Sequence, residues 1–380
     1  MQKIFDKIDS LENEYIQFLV DITNIESPTD YKKGVDEVGK YISDKAKELG
    51  WKIEIQKQEI SGDCICITMN PDAKEKSIAF SGHMDTVHPI GLFGNPPVKI
   101  DAEKIYGPGV TDDKGGIVAA FLAMRALCDC GFNKRPIKLI LQSDEEVSSS
   151  FSNKTTVSFM AEKAKDSIGF FNCEQYDEGY ATIKRKGISK YRFEITGKAA
   201  HAGVCYNGVS AIAEASRKIL ELEKYKNPDG ITFNCGTING GTATNSVPEK
   251  CEFTIDVRFS SKEEMEESDK IIEEISKTSY LSGTTCCATL LSRRVSMELN
   301  EANLNLLEKI NEIFEKNNMP RLVPKPRNGG SDAADITAYS IPCVDSLGVS
   351  GGAIHSKEEF LYKRSIAEAA KRLSAIAYYI

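Results

Sequence analysis

Residues 107–130 read GPGVTDDKGGIVAAFLAMRALCDC and place a glycine-rich loop directly before an apolar helix. Apolar side chains recur at helical spacing over residues 115–130, which predicts a helix with a buried face. Short apolar strands lie on either side, IAF at 78–80 and IKLIL at 137–141. Strands that alternate with helices predict an α/β domain built on a mixed, largely parallel sheet flanked by helices.

Ligand sites in such sheets lie just beyond the carboxyl ends of the strands. His83 and Asp85 follow the first strand, and Asp144, Glu145 and Glu146 follow the second. A carboxylate beside a ligating imidazole fixes its tautomer, and three adjacent acids are costly to bury without a cation. A capped turn and an exposed acidic loop are the simpler alternatives for each motif alone.

The two glutamates are expected to point to opposite sides of the strand line, because successive strand residues alternate. One of them could then bind metal while the other acts as a general base. The division of roles between Glu145 and Glu146 is open at this point.

The glycine-rich loop offers two further carboxylates, Asp112 and Asp113. A phosphate site is the rival interpretation, but the spacing lacks GxxxxGK[ST] and carboxylates repel phosphate. One of the two aspartates could simply cap the helix. With Glu174 after another apolar run and His355 in GGAIHS, the chain offers mixed nitrogen and oxygen ligands that suit zinc or a similar divalent ion.

The middle of the chain has a different pattern. From about residue 187 the order of predicted elements is strand, helix, strand, strand, helix, strand, which is typical of a small two-layer α+β sandwich. We therefore expect residues 1–186 and 296–380 to form a catalytic domain, with residues 187–295 inserted into it as a second domain.

The composition of the chain limits the classes of binding partner and the compartment that we expect. The 380 residues include 48 basic and 56 acidic residues, for a net charge of −8, which disfavours nucleic acids and anionic membranes. The chain contains no stretch of about 18 apolar residues, so no transmembrane helix is expected. The eleven cysteines are odd in number and scattered, which favours a reducing, cytoplasmic compartment.

The ordered motifs SGHMDTVHP, GPGVTDDKGG, SDEE, GKAAHAG and GGAIHS, together with Glu174, resemble the M20 di-zinc amidohydrolases. They cover the chain from about residue 80 to residue 360, and the glutamate carboxypeptidase branch is the best match. The resemblance implies a zinc-exopeptidase-like fold with an inserted lid and dimerisation domain. It also implies two zinc ions per chain, although cobalt or manganese would suit the same ligands.

The resemblance assigns the metal ligands residue by residue. Asp112 would bridge the two ions, His83 and Glu174 would complete one site, and Glu146 and His355 would complete the other. A cis peptide between Asp112 and Asp113 is implied as well.

Catalytic and substrate-binding roles follow from the same resemblance. Asp85 would orient His83, Glu145 would be the general base for a metal-bound hydroxide, and His201 would stabilise the oxyanion from the partner subunit of a homodimer. The residues expected to bind substrate are Asn245 and Arg258, for a free carboxylate, Gly330, through backbone donors, and Arg294, for the side chain.

The expected function is hydrolysis of an amide next to a free carboxylate, in a peptide or an N-acyl amino acid. An N-acyl-amino-acid deacylase or dipeptidase of the same fold is the alternative among hydrolases. An inactive metal-binding module and a nucleotide-binding α/β protein are the alternatives from other classes. The resemblance assigns no role to His88, which is interpreted as a rim or surface residue.

Overall fold

The computed structural model describes residues 1–380 and divides into two compact units. The first unit contains residues 1–184, 299–326 and 331–380, and the second contains residues 185–298 and 327–330. Residues 327–330 join the second unit because the Lys186 N–H donates to the Arg327 carbonyl at 3.0 Å, and Arg185 Nη1 donates to Gly329 O at 3.1 Å.

The elements follow one another in three runs. The first is α1 (Gln2–Thr23), α2 (Lys32–Glu48), β1 (Lys52–Gln56), β2 (Cys64–Met69), β3 (Ile78–His83), β4 (Lys99–Ile100), β5 (Lys104–Tyr106), α3 (Lys114–Asp129), β6 (Ile137–Gln142), α4 (Thr155–Ala164), β7 (Phe170–Asn172) and β8 (Tyr180–Ala181). The second is β9 (Gly187–Thr196), α5 (Ala211–Leu222), β10 (Thr232–Gly240), β11 (Lys250–Phe259), α6 (Lys262–Lys277) and β12 (Thr285–Arg294). The third is α7 (Glu301–Lys316), β13 (Val323–Pro324), α8 (Asp332–Thr337), β14 (Cys343–Val344), β15 (Gly351–Gly352), β16 (Phe360–Tyr362) and α9 (Arg364–Tyr379).

The main sheet of the first unit has the strand order β1-β2-β6-β3-β7-β14. Strands β6, β3, β7 and β14 run parallel, while at one edge β2 pairs antiparallel with β6 and β1 pairs antiparallel with β2. The predicted mixed, largely parallel sheet is confirmed. Because β6, β3 and β7 are neighbours, their carboxyl ends bring three chain segments together at one edge.

Helix α3 forms where the apolar spacing predicts it, and Gly131 follows its end with a positive φ of 81°. The helix packs against β3, α1 and α9. Almost every residue is buried rather than one face alone, and Phe121 packs against Trp51 with ring centroids 4.9 Å apart. The sequence therefore predicts the helix correctly but underestimates its burial.

The second unit is a four-stranded antiparallel sheet in the order β10-β11-β9-β12. Helices α5 and α6 pack against it, and Phe193 stacks on Phe253 in its core at 4.6 Å. The predicted order of strand, helix, strand, strand, helix, strand is observed. Across both units, no helix combines the length and apolarity that a membrane span requires.

Candidate active site

His83 is the last residue of β3 and is buried at the carboxyl edge of the main sheet. Its Nδ1 lies 3.0 Å from the backbone oxygen of Asp85 and 3.5 Å from that residue's Oδ1. A proton on Nδ1 donated to Asp85 leaves Nε2 as the ligating nitrogen. This Nε2 faces Asp112 Oδ1 at 2.9 Å and Glu174 Oε1 at 3.9 Å.

Asp112 lies between two groups of side chains in the first unit. While its Oδ1 faces His83, its Oδ2 lies 3.2 Å from His355 Nε2. The same nitrogen of His355 lies 3.4 Å from Glu146 Oε2. Each oxygen of Asp112 is therefore directed at a different histidine, which is the arrangement that a ligand shared by two ions requires.

Potential ligand atoms form two groups, and within each group they lie within 4.8 Å of one another. One group is His83, Glu145 and Glu174, and the other is His83, Asp112 and Glu146. The structure thus brings together all five residues expected to bind metal, with Glu145 beside them. Nitrogen and carboxylate oxygen donors suit zinc and similar divalent ions. The donor set therefore fits the metal that the sequence predicts.

The electrostatics of this cluster favour a cation. Burial, together with the negative charge of Asp112, raises the pKa of Glu146 to about 8. Hydrogen bonds to Asp112 and Glu146 raise the pKa of His355 to about 10. Burial opposes the shift at Asp112, but hydrogen bonds from His355 and His83 hold its pKa below the ordinary value. Crowded buried carboxylates of this kind gain stability from positive charge.

Besides lying close to His83, the carboxylate of Asp85 accepts hydrogen bonds from the segment that carries the two glutamates. It accepts the N–H of Glu145 at 3.1 Å, the N–H of Glu146 at 3.2 Å and the hydroxyl of Thr29 at 2.8 Å. Strand β6 ends at Gln142, and Glu145–Val147 forms a 3₁₀ turn. The expectation that the two glutamates lie on opposite sides of a strand is therefore wrong, because Asp85 holds them on a turn.

Two backbone features shape the ligand segments. The peptide between Asp112 and Asp113 is cis, which confirms the expectation from the resemblance. His355 has a φ of 61°, in the left-handed region that costs a residue other than glycine about 1–3 kcal/mol. Its side chain is 55% exposed, so this ligand lies at the open side of the cluster.

His201 and Asn245 are exposed residues of the second unit and lie on adjacent segments. The N–H of Ala202 donates to the Asn245 carbonyl at 2.9 Å. His201 precedes the short helix Ala202–Asn207, and its Nδ1 accepts the N–H of Gly203 at 3.1 Å. In a neutral ring this leaves the proton on Nε2, where it can be donated outward.

The other residues expected to bind substrate also belong to the second unit. Asp256 holds the Arg258 guanidinium through Nε at 2.5 Å and Nη2 at 3.0 Å, and Nη1 donates to the Asn328 carbonyl. Two of the five guanidinium N–H donors are left over by these three bonds. Arg294 is 2% exposed, and a Cβ added at Gly330 would lie 2.8 Å from its Cδ.

His88 is not a surface residue, contrary to the sequence interpretation. It is 4% exposed and its Nε2 donates to Glu359 Oε2 at 2.7 Å. Sequence reasoning did not select Glu359, although it follows His355 by four residues in an acidic pair before β16. The partner of His88 could not be identified because 271 residues separate the two.

Known proteins resemble this chain in sequence and in fold. The model of the M20 peptidase dimerisation domain matches residues 183–284. Carboxypeptidase G2 from Pseudomonas sp. (strain RS-16) is 27% identical over 354 residues, covering 91% of this chain and 84% of that protein. Succinyl-diaminopimelate desuccinylase from Rickettsia felis is 28% identical over 288 residues, covering 69% of this chain and 73% of the desuccinylase.

A solved structure shares the fold. The M20 family metallo-carboxypeptidase Sso-CP2 from Sulfolobus solfataricus superposes with a TM-score of 0.75 at 15% identity, covering 96% of this chain and 99% of that one. The shared fold, the matched dimerisation domain and a relative that covers 91% of this chain agree with one another. The chain therefore carries an M20 peptidase dimerisation domain and is similar in sequence to metal-dependent carboxypeptidase and desuccinylase relatives.

Proposed function

We propose that this protein is a di-zinc hydrolase that cleaves an amide next to a free carboxylate, in a peptide or an N-acyl amino acid. One observation carries the proposal: Asp112 directs Oδ1 at His83 and Oδ2 at His355, with Glu145 beside the same cluster. The similarity to carboxypeptidase G2 supports a carboxypeptidase-like reaction.

His83, Asp112 and Glu174 would hold one ion, and Asp112, Glu146 and His355 the other. Zinc bound there supplies Lewis acidity toward the scissile carbonyl and makes water more acidic. Glu145 removes a proton from the attacking water and delivers it to the departing amine. The partner subunit's His201 would donate its Nε2–H to the oxyanion, while the Asp85 carboxylate keeps the glutamate turn in place.

The dimerisation domain suggests that the protein forms a homodimer. We propose that residues 187–295 act as its lid and dimerisation domain. Substrate recognition would fall to Asn245, Arg258, Gly330 and Arg294.

A panel of dipeptides and N-acyl amino acids, incubated with zinc-loaded protein, tests the proposed function. We expect cleavage with a preference for acidic C-terminal residues, and none with the Glu145→Ala variant as a blank. A preference for basic or apolar residues would move the assignment to a deacylase or dipeptidase. Absence of cleavage across the panel, with two zinc ions bound, would count against an amide hydrolase.

Replacing Arg258 with glutamine is expected to raise KM for carboxylate-bearing substrates by roughly 10- to 100-fold, since hydrogen bonds to charged groups contribute about 1.5–3 kcal/mol. The value of kcat should change little, because the contact is present in the ground state and the transition state alike. Steady-state kinetics measure both. Arg192→Gln, on β9 of the same sheet, is the control, and an equal KM in the two variants would remove Arg258 from the site.

A further inference from the structure

Glu359 is a fully buried carboxylate outside the set of metal ligands. Its Oε1 accepts the N–H of Thr111 at 2.9 Å and that of Asp112 at 3.1 Å, and its Oε2 accepts the N–H of Gly109 at 3.2 Å. The fourth donor is His88, through Nε2–H at 2.7 Å. Both oxygens are thus saturated by the glycine-rich loop and by one histidine.

Successive backbone N–H groups that point into a common hollow form an anion-binding nest. In this chain the anion in the nest is the chain's own Glu359 carboxylate. The amide of Asp112 is one of the nest donors, so Glu359 holds the backbone of the residue whose two oxygens face His83 and His355.

Residues 359 and 360 accept two further hydrogen bonds from the glycine-rich loop. The Thr111 hydroxyl donates to the Phe360 carbonyl at 2.6 Å, and the Gly107 N–H donates to the Glu359 carbonyl at 3.2 Å. Residues 359 and 360 therefore bind the loop through backbone and side chain together. The carboxylate is the part of this attachment that a conservative substitution can change.

His88 fixes the orientation of that carboxylate. Its ring is buried edge-on against Phe93, with centroids 5.0 Å apart and an interplanar angle of 81°. The packing leaves Nε2 facing Glu359 Oε2, the oxygen that also accepts the Gly109 N–H. Without this donor the carboxylate would keep its three backbone partners, but Oε2 would lose the shorter of its two hydrogen bonds.

We infer that Glu359, oriented by His88, is a positioning residue that holds the Asp112 loop in its metal-binding conformation. The inference rests on the proposed metal-dependent function. Partners that orient metal ligands typically change metal affinity or activity by about 10–100-fold when they are removed.

Zinc affinity of the metal-free, full-length protein tests this inference by competition with a chromophoric chelator, with the Tm of each metal-free variant measured in parallel. Glu359→Gln is expected to raise the Kd for zinc by roughly 10–100-fold. His88→Leu, which keeps apolar contact with Phe93, should raise it by a smaller factor. His88→Gln, which restores an N–H donor, should return the Kd toward the wild-type value.

Glu214→Gln is the matched control. Glu214 is a buried carboxylate of the second unit and accepts the N–H groups of Tyr280 at 3.1 Å and Leu281 at 2.7 Å. Its replacement should lower the Tm as a structural substitution does, while the Kd for zinc stays unchanged.

Wild-type zinc affinity in both Glu359→Gln and His88→Leu, with only the Tm lowered, would overturn the inference. Should Glu359→Gln fail to fold, the comparison of His88→Leu with His88→Gln decides alone, and equal affinities would overturn it. If the wild-type chain binds no zinc, the proposed function fails and the inference with it. If the wild type binds zinc and the variants bind it with the same Kd, the inference fails but the proposed function stands.

Discussion

Replacing Glu145 with glutamine is expected to lower kcat for amide hydrolysis by roughly 10²–10⁴-fold, the range that a positioned general acid and base supplies. Its carboxyl group lies beside His83 and Glu174, and Asp85 fixes its backbone. Glutamine keeps the shape but cannot accept and return a proton. Steady-state kinetics and the metal content of the purified variant measure the two consequences.

The bound metal should remain at the wild-type level in Glu145→Gln, because the five assigned ligands are unchanged. Glu358→Gln, an exposed residue on the loop after His355, is the control and should keep wild-type kcat. Wild-type turnover by Glu145→Gln would contradict the mechanism. Loss of metal together with turnover would instead place Glu145 among the ligands, as its position in the group with His83 and Glu174 allows.

The convergence of the residues expected to bind metal could be predicted because each lies next to a feature that sequence reveals. His83 ends a buried strand, Glu174 follows another, and Asp112 lies in a loop whose glycines precede an apolar helix. Parallel strands place their carboxyl ends at one edge, so residues far apart in sequence meet there. Because β6, β3 and β7 are neighbours in the sheet, the residues at their carboxyl ends lie close together.

The local course of the chain after a strand could not be predicted in the same way. Glu145 and Glu146 lie on a turn and not on the expected strand, because both of their amides donate to Asp85, about 60 residues earlier in the chain. Similarly, Arg185 and Lys186 bind residues 327–330, which places that turn in the second unit. Long-range hydrogen bonds decide both cases, and local spacing carries no information about them.

The burial of a polar residue is the other property that the neighbouring sequence does not reveal. His88 follows Val87, which is exposed, and precedes Pro89 in a loop. That context is typical of a surface residue. Its burial depends on Glu359, which offers a carboxylate oxygen to the ring, and on Phe93, which packs against it.

Replacing Asp112 with asparagine is expected to abolish measurable hydrolysis and to weaken metal binding by more than the roughly 10–100-fold typical of an outer partner. Asparagine preserves the side-chain shape, but its amide nitrogen carries two hydrogens and offers no lone pair to a cation. One of the two directions, toward His83 or toward His355, therefore loses its oxygen. Zinc stoichiometry and affinity by chelator competition measure the loss.

Asp63→Asn is the matched control, because Asp63 is a buried carboxylate of the same unit that binds Lys32 and Lys57 instead of histidines. It should leave zinc affinity unchanged. Two ions bound with wild-type affinity in Asp112→Asn would exclude a shared ligand at this position. Because Glu145→Gln is expected to lose turnover with its metal retained, and Asp112→Asn to lose both, the two variants together separate proton transfer from metal binding.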